Sequence, residues 1–133
     1  MARKKATKNN RHGEGSEHDI QCRLARFIDD AWPDVLWCAS AGGARTSMRE
    51  AKRLKASGYK RGFPDVFVYE PRGRWHGLAI ELKKEKGGRV SASQREWIAA
   101  LEARGYRAVV AKGFEAAKEV LTEYLGTTPS SGI

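Results

Sequence analysis

Hydrophobic residues recur at two different periods along the chain, and these periods predict an alternation of helices and strands. A stripe with helical spacing lies between the capping pair Ser16 and Asp19 and the helix-breaking Pro33. This stripe consists of Ile20, Leu24, Phe27, Ile28 and Ala31. The pattern predicts a first helix over residues 16–31.

The next two segments change from strand to helix. Residues 35–40 form a short apolar run before a Gly-Gly pair, which is typical of a strand that enters a loop. A basic segment over 46–57 follows, in which Met48, Ala51 and Leu54 recur at helical spacing. We therefore expect a strand and then a second helix that turns these three side chains inward.

The second half of the chain predicts a hairpin followed by a helix, a strand and a helix. The two hairpin strands flank a turn rich in Pro, Gly and Arg, and the third helix opens at Ser91 or Ser93. The hairpin strands, the last strand and the last helix are predicted at 65–70, 75–83, 106–111 and 114–125. The order αβαββαβα predicts an α/β fold with a four-stranded mixed sheet and helices on its faces.

Composition and charge narrow the class of partner. The chain has 133 residues, 41% of them hydrophobic, and a net charge of +9. It can therefore bury a core, and its partner is expected to be a polyanion, with nucleic acid ahead of a membrane surface. We expect a flexible basic arm over 1–15, one domain over 16–126 and a disordered tail over 127–133.

The same features predict a cytoplasmic protein. No apolar run approaches the roughly 20 residues that span a bilayer, and the basic start of the chain is not followed by an apolar stretch. Cys22 and Cys38 lie in apolar segments without a paired spacing. We expect both to be buried free thiols in a reducing compartment.

The candidate chemistry lies on the hairpin. Alternation places Glu81 and Lys83 on one face of the return strand, and if Asp65 faces the same way, two carboxylates converge beside an ammonium group. Such an oxygen-only ligand set suits Mg²⁺ or Mn²⁺, and Lys83 would orient or deprotonate a metal-activated water. The alternative is a surface ion pair between Glu81 and Lys83, with Asp65 as a turn residue.

Several short motifs in order carry a family resemblance. Gly62-Phe63-Pro64-Asp65, a hairpin and Ile80-Glu81-Leu82-Lys83 resemble the catalytic core of the PD-(D/E)xK nuclease superfamily. Over about residues 16–125 the chain more closely resembles the stand-alone VRR-NUC (virus-type replication-repair) nucleases of phages and bacteria. The further motifs are Glu17 with Gln21, Gly42-Gly43, Arg53-Leu54-Lys55 with Gly58, His76-Gly77-Leu78, and Gly88 with Ser91, Gln94 and Trp97.

This resemblance implies a function and a set of roles. Asp65 and Glu81 would be metal ligands, the backbone carbonyl of Leu82 a third ligand, and Lys83 the catalytic lysine. The implied activity is metal-dependent endonuclease cleavage of branched DNA, in particular four-way junctions, in a bacterial or phage-infected cell. The alternatives are a nuclease for ordinary duplex or flap ends and a DNA-binding module whose acids are structural.

Two polar residues on predicted helices extend the candidate site. Glu17 is in line with the apolar stripe of the first helix, and the resemblance makes it an outer metal ligand, direct or through water; the alternative is an exposed acid at a helix start. Gln94 on the inward side of the third helix would reach Lys83, the metal's waters or a phosphate. Its alternative is a core amide satisfied by the backbone.

The remaining predictions concern DNA and assembly. Basic residues on both sides of the site would bind phosphates without reading bases, namely Arg45, Arg49, Lys52, Arg53, Lys60, Lys84, Lys86 and Arg89. One catalytic set makes one nick, whereas resolving a junction requires two cuts at symmetry-related phosphates. We therefore expect a homodimer.

Overall fold

The chain folds into a sheet of four strands with helices on both faces. The structure is a computed structural model that describes residues 15–40 and 47–126. Apart from residue 15, the predicted arm and tail lie outside the described residues, as does the Gly42-Gly43 loop. The elements are α1 Glu17–Ala31, β1 Trp37–Ala39, α2 Met48–Ala56, β2 Val66–Val68, β3 Leu78–Lys83, α3 Ala92–Ala103, β4 Arg107–Lys112 and α4 Phe114–Leu125.

The sheet is mixed, with the strand order β1-β2-β3-β4. The β1/β2 and β2/β3 pairs are antiparallel, whereas β3 and β4 are parallel and are joined through α3. Val66 pairs with Ile80 at the end of the hairpin where β2 begins. The predicted fold class and element order are therefore confirmed.

Alternation along the strands divides the core between the two faces of the sheet. On one face, Ile80 and Leu82 pack with the buried stripe of α1 and with α4. On the other face, Phe67 and Ala79 pack with Leu101 of α3. Odd-numbered residues of β3 therefore face α3, which is the side to which Glu81 and Lys83 belong.

Reciprocal capping boxes fix where two of the helices begin. Ser16 accepts a hydrogen bond from the Asp19 N–H, and the Asp19 carboxylate accepts one from the Ser16 N–H. Ser91 and Gln94 form the same reciprocal box at the start of α3. This second box assigns the N-cap to Ser91 rather than to Ser93. No helix in the described ranges is long and apolar enough to cross a membrane.

The prediction that α2 turns an apolar side toward the core is wrong. Met48 is 75% exposed, Ala51 is exposed and Leu54 is only half-buried. No α2 residue belongs to either core cluster of the described chain, because α1 and α4 cover one face of the sheet and α3 covers the other. The apolar side of α2 is therefore left at the surface.

The predicted burial of the two cysteines is also corrected. Both thiols are free, but Cys22 is half-buried and Cys38 is exposed. Cys38 is the middle residue of β1, a three-residue strand at the edge of the sheet, and its side chain alternates outward. An apolar neighbourhood in the sequence does not ensure burial at an edge strand that no helix covers.

Candidate active site

The two predicted acids and the lysine come together where β2 begins and β3 ends. Asp65 immediately precedes β2, and the pairing of Val66 with Ile80 places it beside Glu81. The Nζ atom of Lys83 lies 3.7 Å from the Oε2 atom of Glu81, and their side chains are only 9% and 4% exposed. The alternative of a surface ion pair is therefore wrong, because both charged groups are buried.

Asp65 is tied to β3 through the backbone. Its Oδ2 atom accepts a hydrogen bond of 2.7 Å from the Leu82 N–H. The carbonyl of the next residue, Lys83, accepts a bond from the Gly113 N–H after β4. Since backbone groups alternate in direction along a strand, the N–H and the carbonyl of Leu82 both point away from β4, toward the Asp65 side.

Burial and mutual repulsion shift the pKa values of both acids. Burial, followed by the charge of Asp65, raises the pKa of Glu81 to about 8, while the charge of Lys83 opposes this rise. Burial also raises the pKa of Asp65. The hydrogen bonds with the Leu82 N–H and with Glu81 lower it, but by less. Without a cation, burial and the neighbouring Asp65 therefore favour the protonated form of Glu81.

The donor set fits a hard divalent cation. The Oε1 atom of Glu81 is buried and has no hydrogen-bond partner among the described residues. Asp65, Glu81 and the Leu82 carbonyl would offer only oxygen atoms, which are the ligands that Mg²⁺ and Mn²⁺ prefer. A cation at this position would also relieve the repulsion that raises the carboxyl pKa values.

Glu17 lies near this cluster without joining it closely. It is half-buried at the start of α1, and its charge contributes to the raised pKa values of Asp65 and Glu81. Within 15–40 and 47–126, however, no three Asp, Glu, His or Cys side chains are grouped closely enough to form a metal cage. This placement suits an outer role through water better than direct ligation.

Gln94 binds Glu81 directly. Its Nε2 atom donates a 2.7 Å hydrogen bond to Glu81 Oε2, and its Oε1 atom accepts one of 2.9 Å from the Ser91 N–H. The alternative, a core amide whose hydrogen bonds all go to the backbone, holds only for the Oε1 end of this side chain, because the Nε2 end binds Glu81. Gln94 thus connects the start of α3 to a candidate metal ligand.

The structure places two residues near the site that were not among the predicted site residues. Tyr59 is half-buried, and after burial itself the charges of Asp65 and Glu81 raise its pKa, which places it near both acids. Gly62 has φ +90°, and a Cβ atom there would lie 2.6 Å from the Ser93 carbonyl oxygen. Gly62 belongs to the Gly-x-Pro-Asp motif, but its contact with α3 could be found only in three dimensions.

The predicted DNA-binding residues lie at the surface. The seven described ones are all exposed, and Arg45 lies outside the described residues. On α2 they are Arg49, Lys52 and Arg53, and elsewhere they are Lys60, Lys84, Lys86 and Arg89. Their exposure leaves them accessible to a large polyanion.

Comparisons with known proteins agree with this geometry. A family model described as the VRR-NUC domain matches residues 16–115. A solved structure described as "VRR_NUC domain protein" is similar at 28% identity, covers 84% of this chain and 89% of its own, and has a TM-score of 0.69. No curated protein matches the chain.

Proposed function

Because the chain belongs to the VRR-NUC domain family and is thus a nuclease of the PD-(D/E)xK type, we propose that it is a Mg²⁺-dependent endonuclease for branched DNA. The observation that carries this proposal is the half-buried Asp65 next to the buried Glu81, with Lys83 Nζ 3.7 Å from Glu81 Oε2. Mn²⁺ would substitute for Mg²⁺, since both accept the same oxygen ligands.

The proposed cation site uses three groups of this chain. Asp65, Glu81 and the Leu82 carbonyl would hold the ion, and Glu17 would act through water. When bound, Mg²⁺ supplies positive charge to the phosphate and lowers the pKa of a bound water. Gln94 supports this role by holding Glu81 Oε2, while Oε1 makes no hydrogen bond within the described chain.

Lys83 is the proposed proton-handling residue. It is buried beside Glu81, where, after releasing one of its own protons to solvent, it would orient the attacking water and accept its proton. As the water oxygen forms a bond to phosphorus, the P–O bond to the leaving strand breaks, and the leaving oxygen takes up a proton from solvent. The positive charge of Lys83 would also oppose the charge that grows on the phosphate.

Exposed basic side chains support DNA as the substrate. Those of α2 and those that follow Lys83 would bind backbone phosphates, which gives affinity without sequence preference. Selectivity for four-way junctions is the finer part of the proposal and comes from the family resemblance. It requires two symmetric cuts, which a homodimer would supply.

A cleavage panel tests this function. Labelled four-way junctions, flaps and linear duplexes are incubated with the protein in Mg²⁺ and in EDTA. We expect cleavage in Mg²⁺ alone and fastest on junctions, and a loss of about 1,000-fold or more in Asp65→Asn and Glu81→Gln at unchanged DNA affinity. Lys83→Met should also stop turnover while leaving metal binding measurable.

The matched control is Glu123→Gln, which neutralises an exposed acid on α4 and should cut at the wild-type rate. If flaps or linear duplexes are cut fastest, the substrate is ordinary duplex or flap DNA and not the four-way junction. DNA binding that ignores both Mg²⁺ and Asp65, without any cleavage, would instead favour a binding module with structural acids.

A further inference from the structure

An open cavity of about 410 Å³ lies against α3, beside the loop that leads to Asp65. Its floor is apolar and is formed by Trp97 and Leu101, and two cationic side chains, Arg61 and Arg104, line it together with Ser93. The catalytic proposal uses none of these residues. The cavity volume falls in the range of about 300 to 1,000 Å³ that is typical of small-ligand sites.

We propose that this cavity binds one unpaired nucleotide of the DNA substrate, with its base stacked on Trp97 and its phosphate held by Arg61 or Arg104. The inference rests on the proposed function and deepens it, because it assigns a substrate feature that the active site itself does not read. It predicts a preference for DNA in which a nucleotide next to the cleavage point is out of the helical stack.

Two contacts place the cavity close to the candidate active site. Gly62 follows Arg61 and lies directly against the backbone of Ser93 and Gln94, where only a glycine fits. Gln94, one residue beyond Ser93, donates its 2.7 Å hydrogen bond to Glu81. Because these contacts place the cavity next to the residues that hold Glu81, we expect a strand whose phosphate lies at Glu81 to bring its adjacent nucleotide to the cavity.

The cavity has the two surfaces that a nucleotide requires. The Trp97 ring is fixed by an edge-to-face contact with Phe63, with 5.1 Å between ring centroids. A ring held in this way gives a flat apolar platform, and stacking of a base on an aromatic ring is tolerant of sequence. The platform is reached only by an unpaired base, because paired bases stack on their neighbours in a duplex.

The charges of the cavity favour an anionic ligand. Arg61 and Arg104 line it against one acid, Glu96. Arg104 Nη1 donates a 2.9 Å hydrogen bond to the Ala100 carbonyl, which holds the guanidinium along α3, while its other N–H groups remain to be directed at a phosphate. A cationic rim around an aromatic floor thus matches the phosphate and the base of one nucleotide.

Binding in EDTA tests the inference without any cleavage. Two probes are compared by fluorescence anisotropy: a nicked duplex that carries one unpaired 2-aminopurine nucleotide at the nick, and the same duplex fully paired. We expect Trp97→Leu to weaken binding of the unpaired probe by about tenfold and binding of the paired probe by less than about twofold. In the wild type, 2-aminopurine fluorescence should be quenched on binding.

Trp75→Leu is the matched control. Trp75 is also half-buried and carries an arginine, Arg74, 4.3 Å from its ring, but it lies at the hairpin turn. It should leave the binding of both probes unchanged. Arg61→Gln keeps the inference testable if Trp97→Leu fails to fold, because it should weaken the unpaired probe more than the paired one.

Three results would overturn the inference. They are an unquenched 2-aminopurine, an equal loss of affinity for both probes in folded Trp97→Leu, and a loss of dimer mass in that variant, which would make the cavity a subunit contact. None of these depends on catalysis. Failure of the nuclease proposal would appear separately, as absence of Mg²⁺-dependent cut products.

Discussion

Glu81 makes the stability of the metal-free protein depend on pH. Burial raises its pKa from 4.5 to about 8 in the folded state, so between these values the folded chain holds a proton that the unfolded chain has released. The free energy of unfolding should therefore fall as pH rises through this window. Below pH 4.5 both states are protonated, and this penalty disappears.

Glu81→Gln should remove the penalty. Its neutral amide can accept the bond from Gln94 and, like the protonated carboxyl, carries no charge. In EDTA we expect the variant to melt at a higher temperature than the wild type at pH 8 or above, and the difference to vanish near pH 4.5. Melting curves across this range measure it.

Two further measurements sharpen the experiment. Glu123→Gln, which alters an exposed acid, should show no such pH-dependent difference. Mg²⁺ should raise the melting temperature of the wild type at pH 8 but not that of Glu81→Gln, because a ligand stabilises only the state that binds it. Equal pH profiles for Glu81→Gln and wild type in EDTA would contradict the burial argument.

Individual site residues differ in how far the sequence reveals them. Asp65, Glu81 and Lys83 could be found because strand alternation is a local rule that holds whatever packs on the sheet. The bond between Gln94 and Glu81 and the approach of Tyr59 depend on how a helix and a loop dock on that sheet. The spacing of Gln94 from Ser91 predicts the helix cap but not the contact with Glu81, and Tyr59 has no comparable spacing.

The helices show the same limit at the scale of elements. α1 and α2 both carry apolar residues at helical spacing, yet Ile20 and Leu24 are fully buried whereas Met48 is 75% exposed. Spacing predicts that a helix forms and which side is apolar, but not whether a core surface is available to cover that side. The extents of strands are limited similarly, since β1 and β2 end where pairing ends.

The loop that carries Asp65 is fixed to α3 through Gly62, and this contact can be tested. Gly62 and Gly87 have φ values of +90° and +85°, so an alanine at either position is strained by its backbone conformation. Only at Gly62 would the added Cβ atom meet backbone, 2.6 Å from the Ser93 carbonyl oxygen. The two glycines thus separate backbone strain from a steric clash.

Gly62→Ala should therefore lower the melting temperature more than Gly87→Ala, by about 5 °C or more. It should also slow cleavage, because displacing Ser93 moves Gln94 away from Glu81. Thermal melting and cleavage assays on both variants measure these effects. Equal effects in the two variants would mean that the packing of Gly62 on α3 contributes nothing beyond φ strain.

At the scale of the whole molecule, the basic first residues of the chain should contribute to DNA affinity. Removing residues 1–11 removes five positive charges, and removing residues 127–133 removes none. The first truncation should weaken binding and flatten the slope of log K against log salt, by about 0.9 for each phosphate that these residues neutralise. The rate at saturating DNA should hardly change, and an unchanged salt slope would show that these residues do not touch DNA.

The exposed apolar side of α2 bears on the predicted homodimer. We expect the apolar side of α1 or of α2 to form the dimer contact. The stripe of α1 is used by the core of its own subunit, whereas Met48 of α2 is 75% exposed, so α2 is the better candidate. A two-fold contact here would need to bury about 800 Å² on each subunit.

Light scattering at micromolar concentration should give about twice 14.8 kDa for the wild type and for Met48→Leu, and a monomer for Met48→Glu. A monomeric mass for the wild type, both alone and on junction DNA, would rule out the paired-cut mechanism, because a single proposed set of Asp65, Glu81 and Lys83 would cut one strand.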